Sequence, residues 1–120
     1  SQPAIAESWT VSKDGKTYVF KLRKTKWSNG DLLTAHDFEW SWKRALAPET
    51  ASEYATQLWY LKNGQAYNEG TLKDASKVGV RAIDDYTLEV VLENPTTYFL
   101  QLCNFPTLMP VNRKIVEKNP

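Results

Sequence analysis

The chain has 120 residues, 42% hydrophobic and 24% charged, with 15 Lys and Arg against 14 Asp and Glu for a formal net charge of +1. A single domain of this length buries roughly two-thirds of its unfolded surface, enough for a core without covalent staples. Acids and bases are interspersed, which excludes the basic stripe of a dedicated nucleic-acid surface. No apolar run approaches the ~20 residues of a membrane span, and the lone Cys103 excludes an internal disulfide.

The first residues with a period are Trp9-Thr10-Val11-Ser12, alternating as a half-buried strand does. Tyr18, Phe20 and Leu22 alternate with Val19, Lys21 and Arg23 in a second strand, and Asp14-Gly15 between the two is a two-residue hairpin signal. The stretch Trp27 to Trp42 then joins strand to helix. Ser28-Asn29-Gly30-Asp31 has the composition of a turn. Thr34 with Asp37 three residues later forms a capping box with Asp in place of Glu, and Leu33 and Phe38 occupy the positions of a hydrophobic staple. Phe38, Trp42, Ala45 and Leu46 make one apolar stripe, Lys43 and Arg44 suit the last turn, and Pro48 stops the helix.

Thr50 and Glu53 read as a second capping box, with Ala55, Leu58, Leu61 and Lys62 following at helical spacing. Asn63-Gly64 ends this helix, or the helix runs on to Asn68 with Gly64 inside at a cost of about 1 kcal/mol. Residues 69–77 are polar and connecting. A second hairpin turns about Asp84-Asp85-Tyr86, with Leu88, Val90 and Leu92 on one face. Asn94-Pro95 caps a short helix to about Cys103, Pro106 and Pro110 enforce an irregular segment, and Asn112 caps a last helix. The expected fold is α+β: hairpins of 9–12 with 17–22 and 78–83 with 87–92, helices near 35–46, 52–63 and 95–103, and an antiparallel sheet covered on one face. Ser1 in place of Met and the end at Asn119-Pro120 give the expectation of one domain excised from a longer polypeptide.

Candidate chemistry is sparse. His36 is the only histidine, so a two-histidine metal site is excluded, and its place in a first helical turn suits a surface or capping role. Cys103 falls on an apolar helical face and reads as a small core residue rather than a nucleophile paired with His36. Asp84 and Asp85 are read as turn residues, Asp31 and Asp37 as turn and cap. The five glycines are dispersed and make no phosphate loop. No catalytic dyad emerges, and neither a cofactor nor a metal is expected. The five Trp form either a Trp-rich core or an aromatic platform.

The ordered sequence Ala6-Glu7-Ser8-Trp9, Asp14-Gly15-Lys16-Thr17-Tyr18, Phe20-Lys21-Leu22-Arg23, Trp27-Ser28-Asn29-Gly30 and Thr34-Ala35-His36-Asp37-Phe38 resembles the signature region of the bacterial peptide-binding proteins that feed ABC importers, extracellular solute-binding protein family 5. Thr50 to Ala55, Asp84 to Val90 and Pro95 to Phe99 are similar to its oligopeptide-binding branch, so the resemblance covers nearly the whole chain. It implies a two-lobed, periplasmic-binding-protein-like molecule that closes on an extended peptide, largely through main-chain hydrogen bonds. This chain then matches the small second domain at one edge of the cleft. The implied partners are the oligopeptide, the remaining domains of the same protein and the importer's permease subunits. The implied location is the extracellular face of the membrane, lipid-anchored, or the periplasm. The resemblance also assigns Tyr54 to ligand contact, as the tyrosine of a Ser-x-Tyr-Ala stretch in which Glu53 stands where the family usually has Pro.

A second reading, independent of the resemblance, is a stand-alone aromatic module for carbohydrate, stacking its ligand on Trp40, Trp59 or Tyr60. Trp40 lies about 200° around the helix from Phe38, off the apolar stripe, where exposure is open to it. A third is a solute-binding protein for a non-peptide ligand.

Overall fold

A computed structural model describes residues 6–26, 30–53 and 55–95 of the chain. Two antiparallel hairpins form its sheet: β1 (Ala6–Val11) with β2 (Thr17–Leu22), and β5 (Val80–Asp84) with β6 (Thr87–Val91). The two inner strands pair with each other, giving the order β1-β2-β6-β5 with Lys21 opposite Thr87 and Thr17 opposite Val91. The alternation in sequence decides the faces. Tyr18, Phe20 and Leu22 of β2, Leu88 and Val90 of β6 and Val80 of β5 are buried in one core. Thr17, Val19 and Lys21 point to the opposite face, where the Lys21 ammonium donates to Thr87 Oγ1 at 3.1 Å and Arg81 pairs with Glu89 at 3.1 Å.

The first hairpin is longer at its tip than Asp14-Gly15 suggests. Residues 12–16 form the connection. Gly15 N–H donates to the Ser12 carbonyl at 2.9 Å, and Gly15 takes φ 73 as the residue that closes the turn. Ser12 and Asp14 add side-chain bonds: Thr17 N–H donates to Ser12 Oγ at 3.0 Å and Lys16 N–H to Asp14 Oδ1 at 3.0 Å. The first strand also begins earlier than its alternation indicates, at Ala6, across a bulge between Ala6 and Ser8.

Between the hairpins, β3 (Thr25–Lys26) and β4 (Leu32–Leu33) pair as a two-residue ladder, and Gly30 before β4 takes φ 93; Ser28 and Asn29 of the expected turn lie outside the described residues. The helix α1 (Ala35–Leu46) follows as expected. Thr34 is its extended N-cap, and Thr34 N–H donates to Asp37 Oδ2 at 2.8 Å in the capping box. Leu33 and Phe38, the staple pair, are both buried in the core. Phe38, Trp42 and Leu46 lie against the sheet, and the Phe38 and Trp42 rings meet edge to face at 5.9 Å. The next residue, Ala47, is extended, and Pro48 begins a separate 3₁₀ turn at 48–50.

Among the described residues the helix expected at 52–63 does not form, and Thr50 ends a 3₁₀ turn instead of serving as a helix N-cap. Ala51 takes the left-handed conformation (φ 51), which ends one 3₁₀ turn, and residues 55–58 make another. Trp59 N–H bonds the Thr56 carbonyl and Leu61 N–H the Leu58 carbonyl, both three residues back. The physical reason is the apolar spacing. The buried residues Ala55, Leu58 and Leu61 stand three apart, which a 3₁₀ backbone keeps on one face and an α-helix rotates away. Asn63-Gly64 likewise opens a helix rather than ending one: α2 (Gly64–Asn68) starts after Asn63 at φ 61. The expected strand 78–83 is Val80–Asp84 instead; Gly79 gives its carbonyl to Val91 of β6 but its N–H to the Lys62 carbonyl. The helix expected at 95–103 and the last helix after Asn112 lie outside the described residues, as does Cys103.

Candidate functional site

Two junctions hold the irregular parts of the chain. At the first, the tip of the β5–β6 hairpin serves as a backbone anchor. Tyr86 N–H bonds Asp84 Oδ1 at 2.9 Å, the Asp85 carbonyl accepts Ala35 N–H at 2.7 Å, and the Tyr86 carbonyl accepts Leu22 N–H at 2.8 Å. The Tyr86 and Thr87 bonds hold the Asp84 carboxyl below its usual range. Asp84 ends β5 and accepts within the turn that Asp85 and Tyr86 make, so both serve the hairpin tip, as the sequence indicates. His36 Nε2 lies 3.3 Å from the Asp85 carboxylate with both side chains exposed. His36 therefore has a surface role.

Nearby, Glu39 of α1 reaches the outer edge of β5. It accepts Ala82 N–H at 2.9 Å through Oε1 and the Lys43 ammonium at 2.7 Å through Oε2. Ala82 would otherwise present a free donor on an edge strand. Burial pushes the Glu39 carboxyl up, but the Ala82 N–H and the Lys43 charge outweigh it and leave the group below its usual range.

The second junction is a clasp around residues 60–63. Lys62 N–H donates to the Val91 carbonyl at 2.8 Å, Gly79 N–H to the Lys62 carbonyl at 2.9 Å, Val91 N–H to the Gly79 carbonyl at 2.8 Å, and Glu93 N–H to the Tyr60 carbonyl at 2.9 Å. Gly79 is required there, since a Cβ would stand 2.1 Å from the Val91 carbonyl oxygen. Asn63 adds two bonds, from its N–H to Glu93 Oε2 at 2.7 Å and from Nδ2 to the Lys77 carbonyl at 2.9 Å. Asn68 completes the frame by donating to the Leu46 carbonyl at the end of α1 and accepting the Trp59 indole N–H, both at 3.0 Å.

These junctions flank two open grooves. One runs along α1, has a volume of about 450 Å³, and is lined in part by His36, Trp40, Arg44, Glu49 and Tyr67. The other, of about 370 Å³, is lined by Thr56, Trp59, Tyr60, Gln65, Glu93 and Asn94. The aromatic residues singled out in the sequence are therefore divided. Trp40 belongs to the first groove, half-buried with the Arg44 guanidinium 5.8 Å from its ring, and Trp59 and Tyr60 belong to the second. They do not converge on one platform, and Trp42 is core. Tyr54 lies outside the described residues. Glu93 escapes sequence reasoning because it follows a strand with no motif around it. Only the long-range clasp brings it to Tyr60. Among the described residues no cluster of three or more His, Cys, Asp or Glu could hold a metal ion, and no helix is long and apolar enough to cross a membrane.

A sequence profile described as bacterial extracellular solute-binding proteins, family 5 Middle, matches residues 1–120. The oligopeptide-binding protein OppA of Bacillus subtilis is 51% identical over 121 residues, covering 98% of this chain and 22% of that protein. The crystal structure of the substrate-binding domain of an oligopeptide ABC transporter from Bacillus anthracis superposes with a TM-score of 0.94 at 51% identity, over 98% of this chain and 23% of that one. Listeria monocytogenes OppA bound to peptide gives 0.91 at 43% identity, over 97% and 23%. The chain thus spans less than a quarter of the length of these relatives. With a match end to end and a shared antiparallel architecture, the chain belongs to the bacterial extracellular solute-binding proteins, family 5.

Proposed function

We propose that this chain is one domain of the substrate-binding subunit of an ABC importer, and that the intact protein captures oligopeptides outside the cell for import. The observation that carries this reading is the match over residues 1–120 to a family whose similar members include an OppA structure with peptide bound. The intact molecule is two-lobed, closes on its ligand, performs no covalent chemistry and delivers the peptide to permease subunits. It works in the periplasm or, lipid-anchored, on the outer face of the membrane. The division of Trp40 from Trp59 and Tyr60 weighs against the carbohydrate module, which needs a shared stacking face.

Tyr54 is assigned to ligand contact on the strength of the resemblance. Its test is made on the intact protein by calorimetry with peptide and by thermal melting. Tyr54→Phe is expected to weaken affinity by about 0.5–1.5 kcal/mol with little change in stability, as for loss of one hydrogen bond. Unchanged affinity in Tyr54→Phe, together with a Tyr54→Ala variant destabilised by about 3–5 kcal/mol, would make Tyr54 a core residue. The isolated chain is expected to bind no peptide measurably, since one edge of a cleft cannot offset the cost of immobilising a flexible ligand.

A further inference from the structure

The two grooves differ in how their charges are matched. Along α1, Lys43 is paired with Glu39, and Arg44 lies over Trp40. In the other groove the lining side chains among the described residues are a hydroxyl, two aromatic rings, two amides and one carboxylate, with no Lys, Arg or His among them. That carboxylate is Glu93, and it is fixed in place. Its Oε2 accepts Asn63 N–H at 2.7 Å and its own N–H bonds the Tyr60 carbonyl at 2.9 Å. The Trp59 ring is fixed too, by its 3.0 Å bond to Asn68. A carboxylate has about four acceptor positions, so one N–H leaves it able to take more donors. Aromatic faces and a carboxylate both attract a cation and both disfavour an anion.

We propose that this groove is a subsite for a basic side chain, lysine or arginine, of a bound peptide, with Glu93 as counter-charge and Trp59 and Tyr60 as cation–π walls. The proposal rests on the peptide-capture reading. Thr56 follows Tyr54 by two residues, which span at most about 7 Å, so a peptide touching Tyr54 has the groove within reach of one long side chain.

The test uses the intact protein and an equimolar mixture of short peptides in matched pairs, each pair differing by Lys or Gln at one position. The bound fraction is quantified by mass spectrometry. At one peptide position the Lys member is expected to be enriched about three- to ten-fold, the scale of one partly exposed ion pair with a cation–π contact. Glu93→Gln retains an oxygen to accept Asn63 N–H and is expected to bring that enrichment close to one at an unchanged melting temperature. Glu49→Gln, a change of the same charge in the other groove, is expected to preserve it. In the wild-type protein, raising the salt to about 1 M, where screening acts within about 3 Å, is expected to reduce the preference. A wild-type protein without preference, a preference that survives Glu93→Gln, or an equal loss in Glu49→Gln would overturn the subsite while leaving peptide capture intact. Capture of no peptide of either kind would defeat the underlying reading instead.

Discussion

The sheet with α1 and the stretch from Pro48 to Gly64 are built on different principles. In the first, side chains choose the structure: alternation in β2 and β6 and a 3.6-residue stripe in α1 bury one continuous apolar face, and the backbone bonds follow. In the second, the backbone is held piecewise. Its short 3₁₀ turns satisfy few bonds internally, and its position comes from the clasp to Gly79, Val91 and Glu93. A region of the first kind fails when it loses volume. A region of the second kind fails when a close approach is blocked or a single acceptor is removed.

The sharpest contrast is between Trp42 and Gly79. Trp42→Ala leaves a cavity under the sheet and is expected to cost about 3–5 kcal/mol in denaturant melts. Gly79→Ala adds one methyl, yet its Cβ would meet the Val91 carbonyl oxygen, so the clasp must part. A loss of about 3 kcal/mol is expected, at the upper end for overpacking. The two should differ in kind as well as size. Hydrogen exchange in Gly79→Ala is expected to rise at the Lys62 and Glu93 amides beyond the global change. Uniform acceleration would mean that the clasp is not a separate unit.

Smaller effects probe the joints between the regions. Thr34→Ala weakens the cap of α1 and is expected to lower stability by about 1 kcal/mol; an unchanged denaturation midpoint would show that Thr34 contributes nothing as a cap. Glu39 gives the smallest effect and a pH signature. Its folded carboxyl lies below the unfolded value of about 4.5. Its contribution is therefore complete above that value and lost as pH falls through the lower, folded one. Glu39→Gln is expected to be less stable than wild type by no more than about 1 kcal/mol at neutral pH, given its partial exposure. The gap should close as the pH falls through the lowered, folded value. A gap independent of pH would assign the effect to packing of the side chain rather than its charge.

The same contrast explains what was legible in the sequence. The hairpins, α1 and its Thr34–Asp37 cap follow from local patterns that tertiary packing only reinforces. The segment after Pro48 misleads because its signals are ambiguous at short range. Thr50-x-x-Glu53 has the spacing of a capping box, but the chain turns left-handed at Ala51. Ala55, Leu58 and Leu61 pass for helical over one step of three residues, but over two steps their spacing fits a 3₁₀ turn better, and Asn63-Gly64 reads as a stop where it is a start. The second groove was half visible. Trp59 and Tyr60 stood out as aromatics, but Glu93 joins them through bonds to residues about thirty positions away, and no local pattern encodes that. Tyr54 stands in the aromatic run after Thr50, and its assignment to a ligand comes from resemblance to relatives.

The pairing of β2 with β6 has a consequence for how the chain acquires its structure. Each hairpin closes a connection of a few residues, whereas the Lys21–Thr87 contact joins positions 66 apart. Loop-closure entropy for such a separation must be met before the central pairing returns any stabilisation. Contact order, more than the speed of either hairpin, therefore sets the pace of folding. α1, the 3₁₀ turns and the clasp's Tyr60–Asn63 and Gly79 side lie inside that loop, so they shorten the search by compacting it. The chain between the two central strands thus acts as a folding spacer as well as the bearer of most of the groove-lining residues.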